Sequence, residues 1–330
     1  MILIFTAKTD SHVGFVSRHL DAAGVAWVRV NTEEFATNVE LTINPTACNG
    51  ILFVRDSGKR IDLSRVTAVW YRKPEPVAVG HLAVEAGALE YVEAEFTEIL
   101  MGIYALLKDA IWINNPFTTR HAHRKLLQLR VATEVGFKTP RTILTNDVEI
   151  ALGFAAQIGA DLAIKSIGSL CVSQELEKQT VHYGLFTRRI SREELETAKD
   201  KVRYMPTLFQ EFVEKRCELR ITCVGEQVFA CCIEARSGDI TSDDHRFDTK
   251  KLNHSAYECP ELHGKLHAYM RASGLNFACF DVIITKSGDA VFLEANPNGQ
   301  WLWCEEMATL PIGEAIAGEL MGRKLEMKGR

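Results

Sequence analysis

Oxygen-bearing side chains cluster in the stretch FLEANPNGQWLW, which runs from Phe292 to Trp303. Glu294 and Asn296 follow an apolar run, and because strand side chains alternate with period two, both lie on the same side of a strand. Two oxygen donors on one face form half of a site for a hard cation such as Mg²⁺. The same residues also suit a well-capped turn around Pro297, so the spacing alone leaves both interpretations open.

A further carboxylate lies in the strand before this stretch. The segment FACFDVIITKSGDAVFLEANP predicts a hairpin that turns at Ser287-Gly288-Asp289, and counting outward from the turn brings Asp281 near Glu294. Two facing carboxylates repel each other unless a cation or a proton neutralises them. Asp281, Glu294 and Asn296 are therefore candidate Mg²⁺ ligands. Solvated acids at an open hairpin end are the alternative.

Two lysines occur in apolar surroundings. Lys165 lies in the short strand LAIKSI, and Lys125 lies in the helical segment RKLLQL. Lysine is rarely buried without an anionic partner, which favours anion binding by Lys165 over a side chain that reaches water at a sheet edge. Taken alone, Lys125 is more typical of an ordinary surface residue.

The segment QEFVEKRCELRI joins a strand end to an alternating strand. Backbone amides at Glu211, Phe212 and Val213 are suited to the edge of an adenine. Glu218 and Arg220 are two residues apart and share a strand face, where they suit a ribose hydroxyl and a phosphate. A cross-strand ion pair is equally consistent with that spacing.

Arg246 lies in the polar segment DDHRFD and suits a phosphate or a substrate carboxylate, although solvated loop arginines are more common.

The sequence contains neither G-x-x-x-x-G-K-[ST] nor G-x-G-x-x-G, so a P-loop or a dinucleotide-binding Rossmann site is not supported.

Composition narrows the class of protein. The chain has 330 residues, 47% hydrophobic and 25% charged, as in an ordinary globular protein large enough for more than one core. A net charge of −5 argues against a general nucleic-acid or membrane-surface binder, and no apolar run approaches the ~20 residues that cross a bilayer. Nine cysteines without a C-x-x-C pair argue against a disulfide framework or a structural zinc site. We expect a reduced, cytoplasmic protein that binds neither nucleic acid nor membrane.

Strand and helix signals predict an α/β (α+β) protein of three units in series: 1–115, 116–206 and 207–330. In the first unit we expect a long amphipathic helix from about Leu82 to Leu107. The second unit is expected to open with a single helix at Thr118 or Thr119. Its polar segment Gly168 to Gln179 predicts a mobile loop.

The chain resembles the ATP-grasp ligases in the order of its motifs. These are the two lysines, the Q-E-F-V strand end, E-x-R, the F-D strand and E-x-N. More narrowly, the chain resembles the macrocyclases that make microviridin-type peptides, or graspetides, from ribosomal precursors. The similarity lies in NPFTTRHAHRKLLQLRVATEVGFKTPRTILTND, QEFVEKRCELRI, DDHRFD and FACFDVIITKSGDAVFLEANPNGQWLW. The resemblance implies an ATP-grasp fold with a pre-ATP-grasp domain (1–115), a central domain that docks a leader peptide (116–206) and a C-terminal ATP-grasp domain (207–330).

The same resemblance implies roles for individual residues. ATP phosphates would be held by Lys125 and Lys165, adenine by Glu211, Phe212 and Val213, and ribose by Glu218. Mg²⁺ would be bound by Asp281, Glu294 and Asn296, and the transferring phosphoryl group would be steadied by Arg220 and Arg246. Contacts to the peptide are assigned to Lys215, Arg188 and Arg189, for which ordinary surface charge is the alternative.

The reaction implied is ATP-dependent activation of an Asp or Glu side chain of a precursor peptide, which carries a leader and an acidic, Thr-rich core. A Thr or Ser hydroxyl, or a Lys amine, then closes an ester or amide ring. Candidate general bases are Asp244, His245 and Glu234. The resemblance also implies a homodimer. Two rival functions are an ATP-grasp ligase that adds amino acids to a small-molecule or protein carboxylate, and a nucleotide-binding regulatory protein without turnover.

Overall fold

The computed structural model of the protein describes residues 1–47, 49–168, 171–176, 179–184, 187–235 and 252–322. These residues form five β-sheets flanked by helices. Among the helices that the structure describes, none combines the length and apolar character needed to span a bilayer.

The N-terminal unit is a parallel sheet with a small antiparallel sheet beside it. Its elements are β1 (Ile2–Thr6), α1 (His12–Ala22), β2 (Trp27–Asn31), α2 (Phe35–Asn38), β3 (Val39–Asn44), β4 (Asn49–Val54), β5 (Lys59–Asp62), β6 (Ala68–Tyr71), α3 (Leu89–Leu106) and β7 (Ile111–Ile113). The parallel sheet has the order β2-β1-β6-β7, and β3, β4 and β5 form the antiparallel sheet. β1 is buried along its whole length, which explains its continuous apolar sequence.

The middle of the chain forms a second, four-stranded sheet. Its elements are α4 (Pro116–Ala122), α5 (Lys125–Glu134), β8 (Thr142–Thr145), α6 (Val148–Ile158), β9 (Leu162–Lys165), β10 (Cys171–Leu176), β11 (Gln179–Gly184), β12 (Arg188–Ile190), α7 (Arg192–Thr197) and α8 (Lys199–Val202). Two of these helices begin with side-chain caps: Asp147 accepts bonds from two backbone amides of α6, and Ser191 with Glu194 forms a capping box on α7.

The C-terminal unit is an antiparallel sheet packed between helices. It is preceded by β13 (Thr207–Glu211), which belongs to the second sheet. The elements that follow are β14 (Lys215–Val224), β15 (Gln227–Ala235), β16 (Leu252–Tyr257), α9 (Pro260–Ser273), β17 (Phe277–Thr285), β18 (Ala290–Asn296), α10 (Leu302–Ala308) and α11 (Ile312–Leu320). The strand order is β16-β15-β14-β17-β18. Side chains of α5 and α9 share one core with this sheet, and α1 and α11 share another with it.

Three local predictions are wrong. The long helix begins at Leu89, because residues 80–84 form turns and bends and Ala86–Ala88 form a 3₁₀ turn before it. The helix expected from Thr118 is divided into α4 and α5, because Arg124 is extended. Part of the expected loop is instead the antiparallel hairpin β10–β11.

The three-unit division remains a prediction, and the sheets cross its boundaries. β13 follows the expected boundary at residue 206 but pairs with β8 and β9, in the order β12-β9-β13-β8. α5 precedes the second sheet yet contributes Val131 and Ala132 to the core beneath the third.

A buried arginine joins the N-terminal sheet to the loop that follows β18. Arg72 is 1% exposed. Its Nη1 atom donates hydrogen bonds to the carbonyl oxygens of Asn298 and Gly299 at 2.7 and 3.1 Å, and its Nη2 atom donates to Oε1 of Gln300 at 2.9 Å. The Nε atom lies 3.5 Å from Oδ2 of Asp10. These bonds compensate the cost of burying the guanidinium group.

Asp10 makes the stability of this contact dependent on pH. Burial alone would raise the pKa of Asp10, but a hydrogen bond from His12 and the charge of Arg72 lower it to about 2. Because the folded-state pKa is depressed, the stabilisation is complete above the unfolded-state pKa near 4 and is lost as the pH falls towards 2. The shift corresponds to about 2 kcal/mol in full.

We therefore expect the free energy of unfolding of the wild type to fall more steeply than that of Asp10→Asn between pH 5 and pH 3, by roughly 1 kcal/mol. Urea denaturation at a series of pH values measures this difference. Parallel pH profiles for the two proteins would show that Asp10 is not preferentially ionised in the folded state.

Candidate active site

The open end of the β17–β18 hairpin brings two carboxylates together. Asp281 is the register partner of Glu294, and a bulge follows between Asp281 and Val282. The Oδ1 atom of Asn296 accepts a hydrogen bond from the amide of Asn298 at 3.0 Å. The pairing expected from the hairpin is therefore present, and Asn296 also caps the turn after β18, as the alternative interpretation expected.

Two lysines from different elements face Glu294. Lys125 is the first residue of α5, and its Nζ atom donates to the carbonyl oxygen of Ser166 at 2.8 Å and lies 3.4 Å from Oε2 of Glu294. Lys165 is the last residue of β9. Burial lowers the pKa of Lys165, the charge of Glu294 opposes this shift, and the charge of Lys125 adds to it. The fold thus brings both predicted phosphate-binding lysines to the predicted metal ligand.

Neighbouring cations determine the ionisation of Glu294. Burial alone would raise the pKa of Glu294, but the positive charges of Lys125, Lys165 and Arg220 lower it below its ordinary value. The side chain is consequently a carboxylate near neutral pH. This is the protonation state that binds a divalent cation.

Arg220 connects Asp281 to the loop after β18. Its Nη1 atom donates to Oδ1 of Asp281 at 2.7 Å, and its Nη2 atom donates to the carbonyl oxygen of Gln300 at 2.9 Å. Burial alone would lower the pKa of Arg220, but the charge of Asp281 raises it above its ordinary value. A Cβ atom at Gly299 would lie 2.4 Å from Cβ of Cys279 and 2.8 Å from Nη2 of Arg220. The loop approaches Arg220 this closely only because residue 299 has no side chain.

Both the sequence and the structure of this chain are similar to those of known proteins. Residues 1–120 match the MvdD pre-ATP grasp domain family. Macrocyclase MdnC from Microcystis aeruginosa MRC, solved with precursor peptide MdnA, is similar with a TM-score of 0.85 and 27% identity over 98% of this chain and 99% of that one. Macrocyclase MdnB from the same organism is similar with a TM-score of 0.77 and 29% identity over 97% and 98%. The chain is an ATP-grasp ligase. The predicted ATP-grasp fold is confirmed, and the predicted resemblance to the peptide macrocyclases is confirmed by these similar structures.

A further relative of the ligase was solved with its ligands. The RiPP-associated ATP-grasp ligase of Chryseobacterium gregarium, in complex with ADP and a leader and core peptide, is similar with a TM-score of 0.85 and 25% identity over 97% of this chain and 96% of that one. A comparison with curated protein sequences finds no match.

The residues predicted to bind adenine lie where the ligase chain leaves the second sheet. The amide of Glu211 donates to the carbonyl oxygen of Arg141 at 2.8 Å, and the amide of Phe212 donates to that of Asp161 at 3.1 Å. Neither amide is therefore available to a base. Within the part of the chain that the structure describes, the amide of Val213 has no such partner and remains a candidate donor to adenine.

Glu218 is paired with Lys215, whereas Arg220 of β14 forms a cross-strand ion pair with Asp281 of β17, as the alternative interpretation expected. The Glu218 carboxylate nevertheless contributes to the electrostatic environment of Lys165.

The two arginines assigned to the peptide lie on β12, at the edge of the second sheet. Arg188 pairs with Glu194 at 3.3 Å, and Arg189 pairs with Asp161 at 2.6 Å. The guanidinium carbon of Arg189 lies 4.3 Å from the centre of the Phe212 ring, so Arg189 also supports the connection after β13. Arg246, Asp244 and His245 lie outside the described residues, and Glu234 is an exposed residue of β15.

Sequence reasoning missed Gln128, which fixes the strand that carries Glu294. Its Nε2 atom donates to the carbonyl oxygens of Ala122 and Ala295 at 2.8 and 2.6 Å, and its Oε1 atom accepts from the amide of Ala295 at 3.3 Å. The bond to Ala122 also satisfies a carbonyl at the end of α4. A buried polar residue three positions after Lys125, within an apolar helix, was the available signal.

Proposed function

We propose that the protein is an ATP-dependent macrocyclase that closes side-chain rings in a ribosomal precursor peptide. The observation that carries this proposal is the convergence of Lys125 and Lys165 on the facing carboxylates Asp281 and Glu294 within an ATP-grasp fold. Cations placed beside paired carboxylates suit the binding of phosphates through a bridging metal ion.

The nucleotide would lie in the cleft between the second and third sheets. Lys125 and Lys165 would hold its phosphates, Glu211, Phe212 and Val213 would surround adenine, and Glu218 would bind the ribose. The donor set fits Mg²⁺, because two facing carboxylates need a neutralising cation and all the candidate ligand atoms are oxygen. Asp281, Glu294 and Asn296 would hold this ion, which when bound neutralises phosphate charge.

Chemistry would begin at an Asp or Glu side chain of the peptide. Its carboxylate oxygen attacks the γ-phosphorus of ATP, the bond to the β,γ-bridging oxygen breaks, and ADP leaves with an acyl phosphate formed. A Thr or Ser hydroxyl then attacks the acyl carbon and loses its proton to a base. The carbon–oxygen bond to phosphate breaks, which leaves an ester and inorganic phosphate; a Lys amine gives an amide in the same way. Arg220 and Arg246 would stabilise the phosphoryl group during transfer.

Three candidate bases remain for the proton of the hydroxyl: Asp244, His245 and Glu234. We assign the peptide leader to the neighbourhood of the second sheet, with Arg188, Arg189 and Lys215 as candidate contacts. A homodimer is part of this proposal and rests on the family resemblance. A cytoplasmic location is also proposed and rests on the nine cysteines without a C-x-x-C pair.

Macrocyclisation is favoured over amino-acid addition because two of the similar proteins, at 27% and 29% identity, are described as macrocyclases. The two reactions differ in product mass. We expect the protein, incubated with ATP, Mg²⁺ and a Thr-rich, Asp/Glu-rich peptide encoded by a neighbouring reading frame, to remove one water per ring from that peptide and to release one ADP per ring. Mass spectrometry and an ADP assay measure both quantities.

A peptide that gains the mass of an amino acid would support the rival ligase. Nucleotide binding without ADP formation would support a regulatory protein. Either result overturns the proposal, and reactions without ATP provide the baseline.

A further inference from the structure

Lys73 has a backbone conformation that residues other than glycine rarely adopt. Its φ angle is 45°, in the left-handed region that favours glycine. It follows β6 at the carboxyl end of the parallel sheet, the edge at which α/β proteins usually bind ligands. A strained non-glycine residue persists when the surrounding structure fixes it, and such residues concentrate at functional sites.

Arg72, the residue before Lys73, is hydrogen-bonded to the loop that follows β18. Arg72 donates to the carbonyl oxygens of Asn298 and Gly299 from one side of this loop. From the other side, Arg220 donates to the carbonyl oxygen of Gln300. The N-terminal sheet therefore presents Lys73 beside the loop that also positions Arg220.

The local charges favour an anion at this point. Arg72, Lys73 and Arg220 are three cations, and the carboxylates paired with them are Asp10 and Asp281. Partial burial, followed by the positive charges of Arg72 and Arg220, lowers the pKa of Lys73. Lys73 nevertheless keeps part of its surface in solvent, and no carboxylate among the residues that the structure describes forms an ion pair with it.

The two facing carboxylates have different cations as direct partners. Lys125 lies beside Glu294, whereas Arg220 is bonded to Asp281. Lys125, beside Glu294, suits the nucleotide phosphates. The cations around Asp281 remain for a second anion, which must be held near the γ-phosphate although the two anions repel each other.

We propose that Lys73 binds the side-chain carboxylate of the substrate peptide beside Arg220, so that the pre-ATP-grasp domain supplies a residue that selects acidic side chains. This assignment rests on the proposed function. It explains why a strained position carries a long cationic side chain where glycine would relieve the strain.

The test compares Lys73→Gly with the wild type, using the neighbouring-frame peptide as substrate. Glycine relieves the strain and removes the charge, so we expect an unchanged or higher melting temperature together with a KM for the peptide that is roughly 10- to 100-fold higher. The KM for ATP should stay within about twofold, and Lys73→Arg should recover most of the peptide affinity. Thr309→Gly is a matched control, because Thr309 has a φ angle of 53° at the end of α10.

The outcomes separate the two proposals. Ring formation by the wild type tests the proposed function, and the ratio between variant and wild type tests Lys73. A peptide KM for Lys73→Gly within about twofold of the wild type would overturn the assignment, as would an equal rise in Thr309→Gly. If Lys73→Gly folds poorly, Lys73→Asn is measured instead, because asparagine tolerates the left-handed region. The same loss of peptide affinity is expected, and its absence overturns the assignment.

Discussion

Glu294→Gln is expected to reduce the rate of ADP formation roughly 100- to 1000-fold while leaving the fold intact. Glutamine has the shape of glutamate, but it removes the negative charge that faces Asp281 and Lys125. The strand itself should stay in place because Gln128 bonds both backbone groups of Ala295. The loss should therefore fall on the charge that binds the metal ion and its phosphates.

Asp289→Asn is the matched control, since Asp289 is a carboxylate at the turn of the same hairpin and pairs with Lys138 on the surface. Its ADP formation should remain near that of the wild type, because exposed ion pairs contribute little. Asp281→Asn should be as severe as Glu294→Gln, and the double variant should be little worse than either one, as for residues that act as a unit. Near-normal turnover in Glu294→Gln would show that Glu294 is not a ligand of the metal ion.

Arg72→Met is expected to lower the free energy of unfolding by about 3–5 kcal/mol. Methionine keeps an unbranched, partly space-filling side chain but cannot bond the carbonyl oxygens of Asn298 and Gly299 or the side chain of Gln300. It also leaves Asp10 buried without its guanidinium partner. Urea denaturation followed by far-UV circular dichroism measures the change.

Arg130→Met is the control for this experiment. Arg130 forms an exposed pair with Glu134 one helical turn away, so its replacement should cost at most about 0.5 kcal/mol. If Arg72→Met destabilised the protein by no more than the control, the contact between the N-terminal sheet and the loop after β18 would not stabilise the fold.

Local features of the site could be predicted from the sequence. The turn at Ser287-Gly288-Asp289 sets the register of the β17–β18 hairpin, and the register places Asp281 opposite Glu294. Lys165 was recognisable as a cation in an apolar strand. In each case the decisive information lies within one hairpin or one strand.

Other features depend on contacts that sequence spacing does not reveal. Arg72 bonds a loop more than two hundred residues further along the chain, and no local pattern indicates that pairing. The break between α4 and α5 lies where the Gln128 side chain bonds both the carbonyl of Ala122 and, 167 residues away, the carbonyl of Ala295, so a side chain held by a distant strand accompanies the interruption of a sequence that reads as one helix. β13 follows the predicted domain boundary, yet the free edges of β8 and β9 determine where it pairs.

The short connection from β13 to β14 affects how the binding of one ligand changes the affinity for another. Residues 212–214 are the covalent link between a strand of the second sheet and a strand of the third. A molecule that contacts both sheets restricts their relative rotation about this link, and a second molecule that does the same then binds at a smaller entropic cost. Linkage makes the effect reciprocal: peptide and ADP should each tighten the binding of the other by the same factor, which calorimetric titration of ADP with and without peptide would report.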